Sequence, residues 1–124
     1  MATKLNYTEE QIKDLATKAA QFADEKKALD IKILDLREMT SMTDYFIICT
    51  GEVEEHAKAI EKAVEKGLIQ SDNFKAWHIE GYSTGNWIVM DYFDFVVHIF
   101  KPESREYYNL EKLWADAPLV EIQE

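Results

Sequence analysis

Tyr45-Phe46-Ile47-Ile48-Cys49, closed by Thr50-Gly51, is an unbroken apolar run too short for a helix and rich in aromatic and β-branched side chains. A run of that kind is a central strand covered on both faces, and it fixes the class of fold as one with a buried sheet. On its N-terminal side the polar stretch Arg37 to Thr43 is a loop. Before that, Asp30 to Leu36 is too short and too β-branched for a helix, so it reads as a second strand entering the core. Earlier still, Thr8 and Gln11 stand at capping-box spacing. Ile12, Leu15, Ala16, Ala19, Phe22 and Ala23 then recur at helical intervals, which predicts a helix over 9–25. On the C-terminal side of Gly51, Val53, Ala57, Ile60, Val64 and Leu68 form the inner stripe of an amphipathic helix with a charged outer face.

The rest of the chain turns to strands. Phe74 to Ile79 reads as a strand with Trp77 and Ile79 on one side and Ala76 and His78 on the other. Gly81 to Asn86 has turn chemistry, and Trp87 to Met90 returns as a strand. A short turn over Asp91 to Asp94 leads to Phe95-Val96-Val97-His98-Ile99-Phe100, completing an antiparallel meander. Pro102 suits the first position of a last helix, with Glu103 favouring its dipole and Tyr107, Leu110 and Trp114 as its buried stripe. Both ends read as loose. The expected fold is a single α/β domain over residues 1–124, with a core over about 8–117. Its mixed sheet is flanked by helices in the order α-β-β-α-β-β-β-α.

Composition bounds the function. The 124 residues are 47% hydrophobic and 12% aromatic, enough to build one core. No stretch approaches the roughly 20 apolar residues of a membrane span, and MATKLNYTEE lacks the apolar run of a signal peptide, so the expectation is a soluble, cytoplasmic protein with no membrane partner. One cysteine, Cys49, makes neither an intrachain disulfide nor a Cys-rich metal site. Twenty-four acids against fourteen bases give a formal net charge of -10. That balance opposes phosphate neutralisation and excludes nucleic acid as the main contact. Between Ala76 and Phe100 there are three acids, Glu80, Asp91 and Asp94, and no Lys or Arg. A surface of one sign favours a partner of the other.

Asp91, Asp94 and His98 are the one cluster that resembles a metal or acid–base site. Two carboxylates brought together by the turn would suit Mg²⁺; equally, turns select Asp for local backbone hydrogen bonds, and His98 is then a half-buried strand residue. Thr50-Gly51 has the place of a phosphate-binding turn, but Glu52, Glu54 and Glu55 would repel the phosphate. His56 and His78 lack further ligands at zinc spacing. The aromatics Trp87, Tyr92, Tyr107, Tyr108 and Trp114 crowd the acid-rich half, and Tyr and Trp are common interface anchors. Adjacent helical residues point about 100° apart, so with Tyr107 inward Tyr108 turns to an edge.

Taken together, Asp44 to Gly51, Glu80-Gly81 ahead of Trp87, Asp91 to Phe100 and Pro102 to Ala117 resemble the ribosomal silencing factor family, also called Iojap-related, in order and without a large insertion. The resemblance implies a nucleotidyltransferase-like fold without catalysis. It implies binding to the large ribosomal subunit through its ribosomal protein fourteen, which blocks small-subunit joining and lowers translation when nutrients run short. The Gly-Ser turn and spaced Asp-x-Asp pair of working nucleotidyltransferases are missing. Trp87, the acidic turn and Tyr108 carry over as the partner surface, so the expected contact residues are Glu80, Trp87, Asp91, Tyr92, Asp94 and Tyr108. Catalytic residues, metal and cofactor are expected to be none. At Tyr92-Phe93, where relatives often have smaller or aliphatic residues, an aromatic pair either alters the contact or builds a dimer edge. The rival readings are a metal-dependent phosphoryl-transfer enzyme or nuclease using Asp91, Asp94 and His98, and a homodimer formed through the same aromatic surface.

Overall fold

The apolar run of residues 45–50 is strand β2 (Tyr45–Thr50), and it pairs in parallel with β5 (Phe95–Phe100), Tyr45 opposite Phe95 and Thr50 opposite Phe100. This pair is the middle of a six-stranded sheet in a computed structural model that describes residues 7–122. On one side of the pair lie β1 (Leu29–Asp35) and the short β6 (Leu119–Val120); on the other lie β4 (Trp87–Asp91) and β3 (His78–Glu80). The order is β3-β4-β5-β2-β1-β6, and every pairing except the central one is antiparallel. The meander expected of the last three long segments is therefore present.

Helices α1 (Glu9–Glu25) and α2 (Glu54–Asp72) pack together on one face of the sheet. The capping box starts α1: the Gln11 N–H donates to Thr8 Oγ1 at 3.1 Å, and the Thr8 N–H donates to Gln11 Oε1 at 2.8 Å. Ile12, Leu15, Ala16, Ala19 and Ala23 bury its inner stripe, while Phe22 is only half-buried against the core. Ala57, Ile60, Val64 and Leu68 do the same for α2, which ends on Asn73 in the left-handed region, φ 52°. Val53 departs from the expected stripe. It is the N-cap of α2, with extended backbone, and is exposed. An unexpected residue joins that inner face: Glu61 is 1% exposed.

Alternation along the central strands sorts side chains between two cores. Tyr45, Ile47, Cys49, Ile88, Met90, Phe95, Val97 and Ile99 face the two long helices. Ile48 and Phe100 face the other way, where they meet Leu34, Leu36 and Ala117 with the half-buried Phe46, Trp87, Leu110 and Trp114.

Three expectations are corrected. The strand anticipated from Phe74 begins only at His78: Phe74 is instead buried among the helix-side core, and Trp77 is 63% exposed. The last helix is two pieces, α3 (Pro102–Tyr108) and α4 (Leu110–Leu113), because Asn109 takes a left-handed conformation, φ 47°. That break rotates the face, so Tyr107 is 81% exposed rather than buried, while Leu110 and Trp114 pack half-buried on the second core. The C-terminal segment is not all loose, since β6 pairs with Ile33 and Leu34 of β1, beyond the core boundary expected near residue 117. Residues 1–6 and 123–124, also expected to be loose, lie outside the described residues.

Candidate docking surface

The second face of the sheet is only partly covered, and strand register states which side chains lie on it. Trp87, Val89 and Asp91 of β4 stand opposite Phe100, His98 and Val96 of β5, which stand beside Thr50, Ile48 and Phe46 of β2. Directly opposed residues share a face. Glu80 opposes Val89 and His78 opposes Asp91, so both edge residues belong to the same side. The α3–α4 corner covers the Phe100 end and leaves Val89, Asp91 and Val96 half-exposed.

Trp87 is held on three sides. Its ring lies 5.0 Å from Phe100 and 4.6 Å from Tyr108, centroid to centroid, and its indole N–H donates to His98 Nδ1 at 3.1 Å. An indole nitrogen only donates, so Nδ1 of His98 is unprotonated and the ring's proton sits on Nε2. Burial pushes the His98 pKa down to about 3, which keeps the imidazole neutral and the acceptor in place at physiological pH. Tyr108 is half-exposed and meets Tyr107 edge to face at 5.0 Å. The corner that carries Tyr108 is fixed by Arg105: its Nη1 donates to Thr50 Oγ1 at 2.9 Å, and its Nε and Nη2 donate to the two oxygens of Glu111 at 3.0 and 2.9 Å. The Thr50 hydroxyl, at the place of a phosphate-binding turn, is thus engaged by Arg105. The guanidinium also holds the Glu111 carboxyl below its ordinary value.

The acidic turn divides. Asp91 is half-exposed and its Oδ1 accepts from the Phe93 N–H at 2.8 Å, which supports the left-handed backbone of Phe93, φ 66°. Tyr92 and Asp94, expected on the contact surface, are 1% and 0% exposed and cannot be surface contacts in this fold. The reason is local. The turn rotates the Tyr92 ring under α2, where it stacks with Phe74 and Phe95, and the Asp94 carbonyl accepts from Asp44 N–H at 2.9 Å as the turn is drawn against the loop before β2. Of the aromatic pair, Phe93 is the surface member, half-buried with its ring 4.9 Å from exposed Trp77. Glu80 is exposed, its Oε2 2.8 Å from His78 Nε2.

Asp91, Asp94 and His98 do not converge. His98 and Asp91 share the open face, whereas Asp94 is buried within the turn, and among the described residues no group of three or more His, Cys, Asp or Glu could hold a metal ion. His98 is also more deeply buried than the half-buried position expected of it. His56 uses both ring nitrogens structurally: Nδ1 accepts from the Glu52 N–H at 2.9 Å, and Nε2 lies 2.8 Å from the Lys26 carbonyl oxygen. Sequence reasoning missed Phe46, Val89 and Val96 as surface residues. The period-two alternation of 87–91 and 95–100 is the signal that aligns Val89 and Val96 with Trp87; Phe46 is placed there only by the parallel pairing of β2 with β5.

The family described as ribosomal silencing factor during starvation matches residues 9–124. This chain belongs to the ribosomal silencing factor family. It is 37% identical over 110 residues to ribosomal silencing factor RsfS of Halalkalibacterium halodurans, covering 89% of this chain and 93% of that protein. A mouse protein named mitochondrial assembly of ribosomal large subunit protein 1 is 33% identical over 94 residues, which are 73% of this chain and 40% of that protein. A crystal structure from Chromobacterium violaceum superposes with a TM-score of 0.81 at 31% identity, covering 84% of this chain and 86% of that one. The mixed sheet flanked by helices is thus shared with a solved structure. Among the described residues of this silencing-factor chain, no helix is long and apolar enough to cross a membrane.

Proposed function

We propose that the chain acts in the cytoplasm as a steric, non-catalytic inhibitor. In this reading it docks on the large ribosomal subunit, against its ribosomal protein fourteen, blocks the small subunit from joining and so represses translation under nutrient limitation. The observation that carries this reading is the mounting of Trp87, half-exposed between Tyr108 and Phe100 with its N–H tied to His98. A rigid aromatic whose polar tip is already satisfied has little freedom to lose on binding, which is what an interface anchor needs. Glu80 and Asp91 lie on the same face, and the segment from Ala76 to Phe100 has no Lys or Arg, which supports a basic protein rather than nucleic acid as the partner.

The test is an in vitro subunit-joining assay with wild type, Trp87→Ala and Tyr108→Ala at matched concentration, with thermal melts as the control for folding. Loss of either ring is expected to cost on the order of 2 kcal/mol of binding and to restore joining while the protein stays folded. Asp91→Lys is expected to weaken inhibition in the same assay through like-charge repulsion. If folded Trp87→Ala and Tyr108→Ala proteins both block joining as well as wild type, this face is not the working surface.

A further inference from the structure

Beside Trp87 the open face dips into an apolar trough of about 290 Å³, lined by Phe46, Val89, Phe93, Val96, Trp114 and the imidazole of His98. Its walls carry no basic side chain, and Asp91 lies at its rim. The trough continues the surface on which Trp87 and Tyr108 stand, because Trp87, Val89 and Asp91 are alternate residues of one strand.

Two buried polar groups that line it, the Thr43 hydroxyl and the His98 imidazole, present atoms with no hydrogen-bond partner, and His98 is the one that shares the strand face of Trp87. His98 is 5% exposed, its Nδ1 is taken by the Trp87 indole, and its Nε2 is buried with no hydrogen-bond partner within the protein. Because Nδ1 accepts, Nε2 bears the hydrogen and is a donor only. A buried donor without an acceptor is unfavourable, and the gain is recovered when an acceptor arrives. The half-buried Phe46 ring meets the imidazole edge to face, 4.4 Å between centroids.

We propose that the trough receives an extended segment of the basic ribosomal protein, and that His98 Nε2–H donates to a backbone carbonyl oxygen of that segment. The proposal rests on the docking reading above and adds its polar contact. The segment's apolar side chain fills the space between Val89, Val96 and Phe46, and its basic residues face Glu80 and Asp91. A phosphate backbone fits poorly there, since those carboxylates repel it.

Two variants separate the roles of the two ring nitrogens. In His98→Asn the amide oxygen replaces the Nδ1 acceptor for Trp87 but no donor stands at the Nε2 position. In His98→Gln the amide nitrogen supplies that donor and the Nδ1 acceptor is lost. Co-sedimentation of the full chain with purified large subunits is expected to weaken tenfold or more for His98→Asn, although the Trp87 acceptor is kept, and to weaken also for His98→Gln, where the Trp87 indole loses its partner. Wild-type binding by His98→Asn overturns the proposal, and so does equal binding of wild type to naked large-subunit RNA. Trp87→Ala is run alongside. If it loses binding while His98→Asn keeps it, only the His98 contact falls; if it too binds like wild type, the docking reading falls with it. Should neither variant melt cooperatively, wild type labelled with ¹⁵N-histidine is titrated with the isolated ribosomal protein. The Nε2–H resonance is expected to move downfield, and an unmoved resonance overturns the proposal.

Discussion

Replacing Glu61 by Gln is expected to stabilise the protein, and more so as pH rises. Glu61 lies on the inner face of α2 with 1% of its surface exposed, among Ala57, Ile60 and Val64. Burial, reinforced by the Glu65 carboxyl one turn on, pushes its pKa from 4.5 up to about 8, and Lys62, whose Nζ comes no nearer than 3.8 Å, only partly offsets this. The Tyr92 ring, buried from the other side, has its own phenol raised by burial and by both carboxyls. A carboxyl that holds its proton more tightly when folded contributes stability that is intact below pH 4.5 and is lost as pH climbs through about 8. At about 1.4 kcal/mol for each tenfold change in proton affinity, the penalty is on the order of 1 kcal/mol at pH 5 and about 4 kcal/mol at pH 8. Gln has nearly the same shape and no charge to bury, so its advantage over wild type should widen by about 3 kcal/mol between those two values. Urea unfolding of both proteins at pH 5, 6, 7 and 8 measures this directly, and the titrating groups that do not interact with Glu61 cancel in the difference. Parallel urea midpoints across that range would refute the reasoning.

Other perturbations probe the supports of the docking face. Gly81 has φ 84°, and a Cβ there would lie against the Trp87 carbonyl oxygen, so Gly81→Ala should cost on the order of 2 kcal/mol or more in a thermal melt and loosen the Trp87 end of β4. Arg105→Met removes the partner of the Thr50 hydroxyl and leaves the Glu111 carboxylate, among the described residues, only Lys32, at 3.3 Å; a loss of about 2 kcal/mol is expected by urea unfolding, and Arg105→Lys should recover little of it because an ammonium lacks the planar fork. Cys49 is fully buried with its pKa pushed up to about 12, so the native protein should resist a maleimide reagent that labels it rapidly in urea; prompt native labelling would show that β2 opens.

Where the sequence states both ends of an element, the fold was legible. Thr8 and Gln11 set the start of α1, and the apolar run at 45–50 could only be a doubly covered strand. Helical spacing located α2 but not Glu61, since a stripe drawn from apolar residues passes over a carboxyl that occupies the same face by geometry. A single helix from Pro102 puts Tyr107 on the stripe of Leu110 and Trp114, but the left-handed Asn109 between them turns the chain and leaves Tyr107 outside. Within the expected contact set, Trp87, Tyr108, Glu80 and Asp91 do share one side of the molecule. Tyr92 and Asp94 do not, because a turn's side chains are directed by its backbone angles rather than by a period, and those angles depend on the Asp91 hydrogen bond to Phe93. The pairing of β6 was invisible for a similar reason: two residues carry no periodicity.

The parallel pairing of β2 with β5 also bears on the order in which the chain folds. Tyr45 and Phe95 are fifty positions apart, whereas β1 meets β2, and β4 meets β5, across short connections. Each hairpin can close quickly, but neither buries a complete face alone. Closing the long loop between them carries the larger entropic cost, so contact between the two hairpins is expected to limit the rate of folding. Substitutions along the central seam, such as Ile47→Val or Val97→Ala, therefore bear on the speed of that encounter, while those in the α3–α4 corner bear on the rate of release. Because Phe46, Val96 and His98 belong both to the seam strands and to the open face, changes there are expected to alter folding speed as well as docking, whereas changes at Tyr108 in the α3–α4 corner are expected to alter docking with little effect on how fast the protein assembles.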